Sequence, residues 1–335
     1  MSAGSAPEVG PAAFGVDVGG TKLHGVAVDE LGHVVAESRA ATPAAVREQG
    51  GPGVAIADAV VAVVDELRAA TGAGHPAAPI GVGVPGMLDR RGVLVFSPNL
   101  PSALGADFAQ LFAERLPGHP PVLENDANCA ALAEHTLGAA RGFDDVVVVT
   151  LGTGIGGGFV LGGRPLLGAQ GFAGEIGHMV VEPSGPLCPC GRRGCWERYA
   201  SGAGLARLAR EAAIGGRLPE VVVLAGGDPE TVRGEHVSTA ALAGDGDALA
   251  VMGELGWWVA FGLANLAAVL DPQRFVIGGG LAAGAGEYLL EPTRAAFTEL
   301  VEGGSSRGPI DIVAAELGER SGAVGAALVA ERAVR

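Results

Sequence analysis

The stretch Ala12–Asp29 reads AAFGVDVGGTKLHGVAVD. Two Val-rich runs flank DVGGTK, and runs of this kind bounded by glycine read as strands joined by a tight turn. Glycine at a strand end lets main-chain N–H groups point at an anion with no side chain in the way. The form returns at residues 144–168, DDVVVVTLGTGIGGGFVLGGRPLLG, as strand, glycine turn, strand and a further extended segment. This weak internal repeat predicts two similar α/β lobes facing each other across a cleft, and ligands favour such interfaces. A third turn, IGGG at 277–280, ends another strand candidate.

Strands and helices alternate around these turns, which argues for an α/β protein. HVVAESRA (33–40), PIGVGVPG (79–86) and PPVLEN (120–125) read as strands. The stretch 54–71, GADFAQLFAERL (105–116) and DANCAALAEHTLG (126–138) read as helices, the last ending at Gly138. The run 247–272 is apolar on most sides, so it predicts a long buried helix with Trp257 and Trp258 in the core. SGAVGAALVAERA (321–333) reads as a closing helix.

The 335 residues suffice for one large domain or two ordinary ones. Hydrophobic residues make up 48% and aromatics only 4%, so the core must be built from Ala, Val, Leu and Ile. The net charge of −15 predicts an acidic, soluble surface and argues against a nucleic-acid partner. Arg192-Arg193 is too short to count as a basic patch. No apolar run approaches the ~20 residues of a membrane span, and residues 1–12 lack the basic start and apolar run of a signal peptide. The expected setting is the cytoplasm, where clustered cysteines are metal ligands more often than disulfides.

The glycine turns do not fit GxxxxGK[ST], so they form no P-loop. Gly152, Gly154 and Gly157 give G-x-G-x-x-G, but a return strand follows where a dinucleotide fold needs a helix. Any one turn is as readily an ordinary hairpin. Three of them, each after a Val/Ile strand, favour a nucleotide cleft, with Thr21 and Thr153 as added hydroxyl donors. Asp17 is either a turn-stabilising carboxylate or a ligand, direct or through water, for the Mg²⁺ that accompanies ATP.

VLENDANCAALAEH sets Asn125 and Asp126 between a strand and a helix. Asp is a favoured N-cap, yet this junction also presents a reacting group. Phosphorylating a sugar needs a base at the attacking hydroxyl and otherwise positioning and charge stabilisation. Cys129 reads as a small buried apolar residue. His178, Cys188, Cys190 and Cys195 have the spacing H-x9-C-x-C-x4-C, a complete tetrahedral Zn²⁺ set with no open position, hence structural. His178 enters that set by proximity and because the chain offers no other candidate nearby. Glu175 and Glu197 would be drawn beside such a metal, where carboxylates and an imidazole suit sugar hydroxyls; otherwise they are two solvated glutamates.

DVGGTK, VLENDANCAALAE, LGTGIGGG, GEIGHM and CPCGRRGCWERYASG occur here in the order and spacing of the ROK family of sugar kinases and repressors. The chain resembles that family from about Phe14 to Arg332, most closely its actinobacterial glucokinases, and RGEHVSTAA, LANLAAVLDP and FVIGGGL extend the likeness. The resemblance implies an actin/hexokinase-like (ribonuclease H-like) fold of duplicated α/β lobes around a central cleft. It implies a tail at 1–12, a small lobe at 13–124, a large lobe with the zinc loop at 125–318, and a helix at 319–335 packing back on the small lobe.

The activity implied is transfer of the ATP γ-phosphate to the 6-hydroxyl of glucose, with Asp126 as base. Gly86, Asn99, Asn125, Asp126, Glu175, His178 and Glu197 match sugar-side positions. Asp17, Gly19, Gly20, Thr21, Lys22, Gly152, Thr153, Gly154, Gly279 and Gly280 match the ATP side. His178, Cys188, Cys190 and Cys195 match the ligands of one structural Zn per chain. The family also implies a homodimer or homotetramer without a membrane or nucleic-acid partner, since its repressors place a winged helix-turn-helix where this chain has no room before Asp17. The alternatives are another hexose (N-acetylglucosamine, N-acetylmannosamine, allose or fructose), polyphosphate as donor, which the cysteine motif disfavours, or a non-catalytic sugar sensor.

Overall fold

Val/Ile runs bounded by glycine become strands, and the runs with helical apolar spacing become helices. The computed structural model describes residues 11–43, 51, 53–72, 78–303 and 306–334. Residues 1–10 of the expected tail lie outside the described residues; Pro11 is buried, and the Ala12 N–H donates to the Val28 carbonyl at 2.7 Å.

The first half runs β1 (Ala13–Val18), β2 (Lys22–Val28), β3 (Val34–Ala41), α1 (Val54–Ala70), β4 (Ile80–Val84), β5 (Met87–Leu88), β6 (Leu94–Phe96), α2 (Phe108–Arg115), β7 (Val122–Asn125) and α3 (Asp126–Leu137). There follow β8 (Val146–Leu151), β9 (Ile155–Leu161), β10 (Arg164–Pro165), α4 (Glu197–Ala200), α5 (Gly202–Ile214), α6 (Pro219–Leu224), α7 (Gly234–Leu242) and α8 (Gly246–Leu270). The chain closes with β11 (Arg274–Gly278), α9 (Gly280–Ala285), α10 (Glu287–Leu300), β12 (Asp311–Ala314) and α11 (Ser321–Val334).

Two compact units result. One holds the chain up to Leu137, Pro165–Ala173 and the chain from Arg320 onward; the other holds Gly138–Arg164 and Gly174–Glu319. The Asn125 boundary expected from the sequence lies inside the first unit, because α3 packs on β4, β7 and α11. Its sheet has the order β3-β2-β1-β4-β7, with β1 antiparallel to β2 and parallel to β4, and β4 parallel to β7. The second unit's sheet, β10-β9-β8-β11-β12, follows the same plan: a glycine-turned hairpin, then two parallel strands. The internal repeat is thus a repeat of topology. Parallel strands are covered on both faces, which is why β4 and β8 are almost continuous apolar runs with few polar positions.

Each unit has its own core, one around Phe14, Leu23, Val60, Val82 and Phe112, the other around Val149, Leu205, Leu255, Val259 and Phe275. The closing helix α11 lies on β1, β4 and α3 at backbone distance. A methyl group on Gly15 would strike the backbone of Ala323 and Ala327, one on Gly81 the Ala326 carbonyl, and one on Gly325 the Cys129 carbonyl.

The long helix α8 departs from expectation. By length and composition it could cross a membrane, but half of its most apolar stretch is buried, against α10, α7, α5 and α4. Its other side is open: Trp257 is 38% exposed and Val269 80%. Trp257 lies on that side, stacked on Phe261 and edge-on to Trp258, whereas Trp258 is partly buried and packs against the core as expected.

Candidate active site

In the first unit, three parallel strands end together, and the open end of such a sheet is where ligands gather. Asp17 on β1 pairs in register with Gly83 on β4, and Gly83 pairs with Glu124 on β7. A Cβ built on Gly83 would stand 3.4 Å from Cys129 Sγ, 3.5 Å from Asp17 Oδ1 and 3.6 Å from Asp126 Cα. The strand register therefore brings Asp17 and Asp126 to one place, with the buried Cys129 thiol between the sheet and α3. Gly322, at the start of α11, completes the enclosure: a Cβ there would come within 2.6 Å of the Asp17 carboxyl.

Asp17 as a residue is partly covered, but its Oδ1 is sealed from solvent and has no hydrogen-bond partner among the described residues. Burial pushes the carboxyl up to about 7, the neighbouring Asp126 charge adds to this, and Lys22 pulls it down. An orphaned, enclosed carboxylate oxygen needs a proton or a hard cation, and oxygen is the ligand Mg²⁺ takes. The residues present therefore fit a bound Mg²⁺.

The β1–β2 turn presents its donors outward. Gly19 N–H closes the turn on the Lys22 carbonyl at 2.9 Å, and Gly20, Thr21 and Lys22 are exposed. The Asn99 backbone packs against Gly20, a Cβ on which would lie 3.3 Å from the Asn99 carbonyl. Gly86 adopts φ +106, and its carbonyl accepts from Asn125 Nδ2 at 3.1 Å.

The junction of β7 and α3 resolves the capping question. Asn125 Oδ1 accepts from Ala127 N–H at 2.9 Å and from Asn128 N–H at 3.0 Å, so Asn125 is the N-cap and Asp126 is the first helical residue. Asp126 Oδ1 shares the Ala127 N–H, also at 2.9 Å. Burial raises the Asp126 carboxyl above the ordinary range, and hydrogen bonds from the Ala127 and Asp126 backbone and from Asn125 hold it back. A carboxylate whose affinity for a proton is raised is a better base.

The second unit carries the other two glycine turns side by side. Gly152 N–H donates to the Gly154 carbonyl at 3.0 Å, and the Gly202 N–H returns to the Gly152 carbonyl at 2.8 Å, tying the turn to the start of α5. Gly279 has φ +87 and sits against the Leu151 backbone, because β8 and β11 end in register. Thr153 and Gly280 are exposed.

Beside them lies the cysteine loop. Positive φ at Gly191 and Gly194 lets the chain reverse between the cysteines, and a side chain on Gly194 would strike the Glu182 carbonyl. The ligand atoms of His178, Cys188, Cys190 and Cys195 all lie within 4.8 Å of one another. Cys188 Sγ is 3.7 Å from His178 Nδ1, and Cys190 Sγ is 3.5 Å from Cys195 Sγ. Ligands about 2.3 Å from a tetrahedral centre stand about 3.8 Å apart, so the donor set fits a single Zn²⁺ with His178 Nδ1 as its nitrogen.

The other ring nitrogen, Nε2, is 3.9 Å from Glu175 Oε2. Glu197 Oε1 is 3.8 Å from His178 Nδ1 and accepts from Cys188 Sγ at 3.2 Å, and a Cβ on Gly154 would lie 2.6 Å from Glu197 Oε2. The cysteine loop, Glu175, Glu197 and the LGTG turn are one neighbourhood.

Two supports escaped the sequence. Trp196 is fully buried, fits against Gly262 of α8 and donates its indole N–H to the Trp258 carbonyl at 2.7 Å. Ser201 is fully buried, bonds the Glu197 carbonyl at 2.6 Å and caps α5. Both letters fall within CPCGRRGCWERYASG, but nothing in that stretch shows the packing or capping role of either.

Residues 13–333 match the ROK family. The chain is 39% identical to the glucokinase of Streptomyces coelicolor over 94% of its own length and 96% of that protein's, and 37% identical to the Thermotoga maritima glucokinase with the same coverage. The crystal structure of a ROK family glucokinase from Streptomyces griseus, in complex with glucose and AMPPNP, is 38% identical. It superposes with a TM-score of 0.82 over 96% of this chain and 99% of that one. The duplicated sheets are those of the actin/hexokinase-like α/β fold, and over nearly its whole length the chain belongs to the ROK family.

Proposed function

We propose that this protein is an ATP-dependent glucokinase that makes glucose 6-phosphate and ADP. The observation that carries this reading is the partly buried junction at Asn125-Asp126, where Asn125 takes the capping role and leaves Asp126 with a raised carboxyl as base. Asp126 accepts the proton of the sugar 6-hydroxyl while that oxygen bonds the γ-phosphorus and the bond from phosphorus to ADP breaks. Asn99, Gly86, Asn125, Glu175, His178 and Glu197 hold the other hydroxyls.

The backbone N–H groups at Gly19–Thr21, Gly152–Gly154 and Gly279–Gly280, together with Lys22 and Thr153, receive the phosphates. Asp17 would hold the Mg²⁺ that comes with ATP, directly or through water, and the ion would neutralise charge on the phosphates. His178, Cys188, Cys190 and Cys195 would hold one structural Zn²⁺, keeping the imidazole and both glutamates in place. The fit of the donor set supports this. The reaction belongs in the cytoplasm, where thiols stay reduced and able to bind metal, and the working form is a homodimer or homotetramer.

The test is Asp126→Asn. Glucose binding by calorimetry should persist, while ADP release falls by about three orders of magnitude or more, within the range attributed to a general base together with its positioning. Near-normal turnover would reject the assignment. A panel of hexoses assayed by ADP release identifies the preferred sugar, and a clear preference for an N-acetylhexosamine, allose or fructose would replace glucose.

A further inference from the structure

Glu124 is the last residue but one of β7, and β7 is the edge strand of its sheet. An edge strand leaves some backbone N–H groups without a ladder partner. The Asn125 N–H is such a group, and it donates to Glu124 Oε1 at 2.8 Å. The same Oε1 accepts from Asn128 Nδ2 at 3.0 Å. Asn128 is 6% exposed and lies in the first turn of α3, and its own N–H donates to Asn125 Oδ1.

These bonds close a ring. Glu124 holds the Asn125 backbone and the Asn128 amide; Asn125 holds the N–H groups of Ala127 and Asn128; Asp126 stands inside the loop of chain so formed. The Ala127 N–H is divided between Asn125 Oδ1 and Asp126 Oδ1, both at 2.9 Å. How firmly Asn125 is held therefore decides how much of that N–H falls to Asp126. If Asn125 drifts, the N–H goes wholly to Asp126 and turns its carboxylate toward its own helix, away from the position a base must hold.

We propose that Glu124 is a positioning residue for the Asp126 base, acting through Asn125 and Asn128 to hold the β7–α3 junction in its reactive geometry. The proposal rests on the assignment of Asp126 as base. The charged groups that line the same surface hollow as Glu124 are Asp89, Arg90 and Arg91. Asp17, Asp126 and the buried Cys129 thiol form the neighbouring set.

The experiment compares Glu124→Ala, Glu124→Gln and Asn128→Asp with the unaltered protein and with Asp126→Asn, reading kcat, KM for glucose, the pH profile and the melting temperature. Glu124→Ala strands two donors, and kcat should fall about a hundredfold, the scale of a misplaced reacting group, with a smaller change in KM. Glu124→Gln keeps an acceptor oxygen and should recover most of that loss. Asn128→Asp sets a second carboxylate against Glu124, and the pair relaxes when it shares a proton. Its kcat relative to the unaltered protein should therefore rise about tenfold from pH 8 to pH 6.

If Glu124→Ala fails to fold, the Asn128→Asp pH ratio decides alone. Inactive Asp126→Asn, together with unaltered kcat in Glu124→Ala or a flat pH ratio in Asn128→Asp, overturns the positioning role and spares the base. Active Asp126→Asn overturns the base itself.

Discussion

A single methyl group at Gly322 tests whether the seat of α11 sets the position of Asp17. In Gly322→Ala the new carbon would stand 2.6 Å from both Cγ and Oδ2 of Asp17 and 2.9 Å from Oδ1. Ordinary contact begins near 3.4 Å, so something must give by about 0.8 Å, the kind of overpacking that costs about 1–3 kcal/mol. The helix cannot retreat along its length, because its neighbours Ala323, Ala326 and Ala327 already sit against Gly15 and Gly81 at backbone distance. The carboxylate yields instead, carrying with it the oxygen that would meet Mg²⁺.

A displacement near 1 Å at a reacting centre costs about a hundredfold in rate. The expected result is a kcat lower by about ten- to a hundredfold, with a higher Mg²⁺ concentration for half-maximal rate and a melting temperature lower by several degrees. The assay is ADP release at saturating glucose over a Mg²⁺ titration, with thermal melts alongside. Gly253→Ala is the control. It lies within α8 with nothing among the described residues within 4 Å of its added Cβ, so stability should hold or rise by about 0.5–1 kcal/mol with rate unchanged. If Gly322→Ala has the rate and Mg²⁺ dependence of the parent, the geometry assigned to Asp17 is wrong.

Elemental analysis should find close to one Zn per chain, and Cys190→Ala should lose the metal and weaken glucose binding about tenfold or more, as loss of a supporting metal shell does; metal-free protein of full activity would refute this. The Asp17 carboxyl, about 7 folded against about 3.9 unfolded, makes the protein without Mg²⁺ more stable in acid. The folded form binds the extra proton, so this contribution is whole below pH 4 and fades as pH rises through 7. Chelator-treated protein with glucose absent should melt lower at pH 8 than at pH 6, and added Mg²⁺-nucleotide should raise the melting point more at pH 8. A pH-independent nucleotide effect would count against Asp17 as the titrating group.

The glycine turns, the Asn-Asp junction and the cysteine loop could be read from the sequence, because each packs its residue types into a few neighbouring positions. Which of Asn125 and Asp126 caps α3 could not, since both are favoured caps and only the Oδ1 distances separate them. Glu124 gave no signal, for its role lies in an edge-strand N–H that no pattern of letters reveals. The open side of α8 was misjudged for a different reason: hydropathy reports what a helix prefers, whereas burial depends on how many neighbours arrive, and α10, α7, α5 and α4 cover only part of its surface. Helix α10 runs unbroken from Glu287 to Leu300 with Pro292 inside it.

The glycine-seated α11 also has a meaning for the birth of the protein. Asp17 leaves the ribosome about 300 residues before Gly322, which walls it in. Until then β1 and β4 lack the helix that covers Gly15 and Gly81, and the first sheet shows an apolar face to its surroundings. Synthesis proceeds at about 5–20 residues per second, so that face stays open for tens of seconds. The first unit to be translated is therefore the last to be finished, and the interval before α11 docks is when the nascent chain most needs shelter from aggregation.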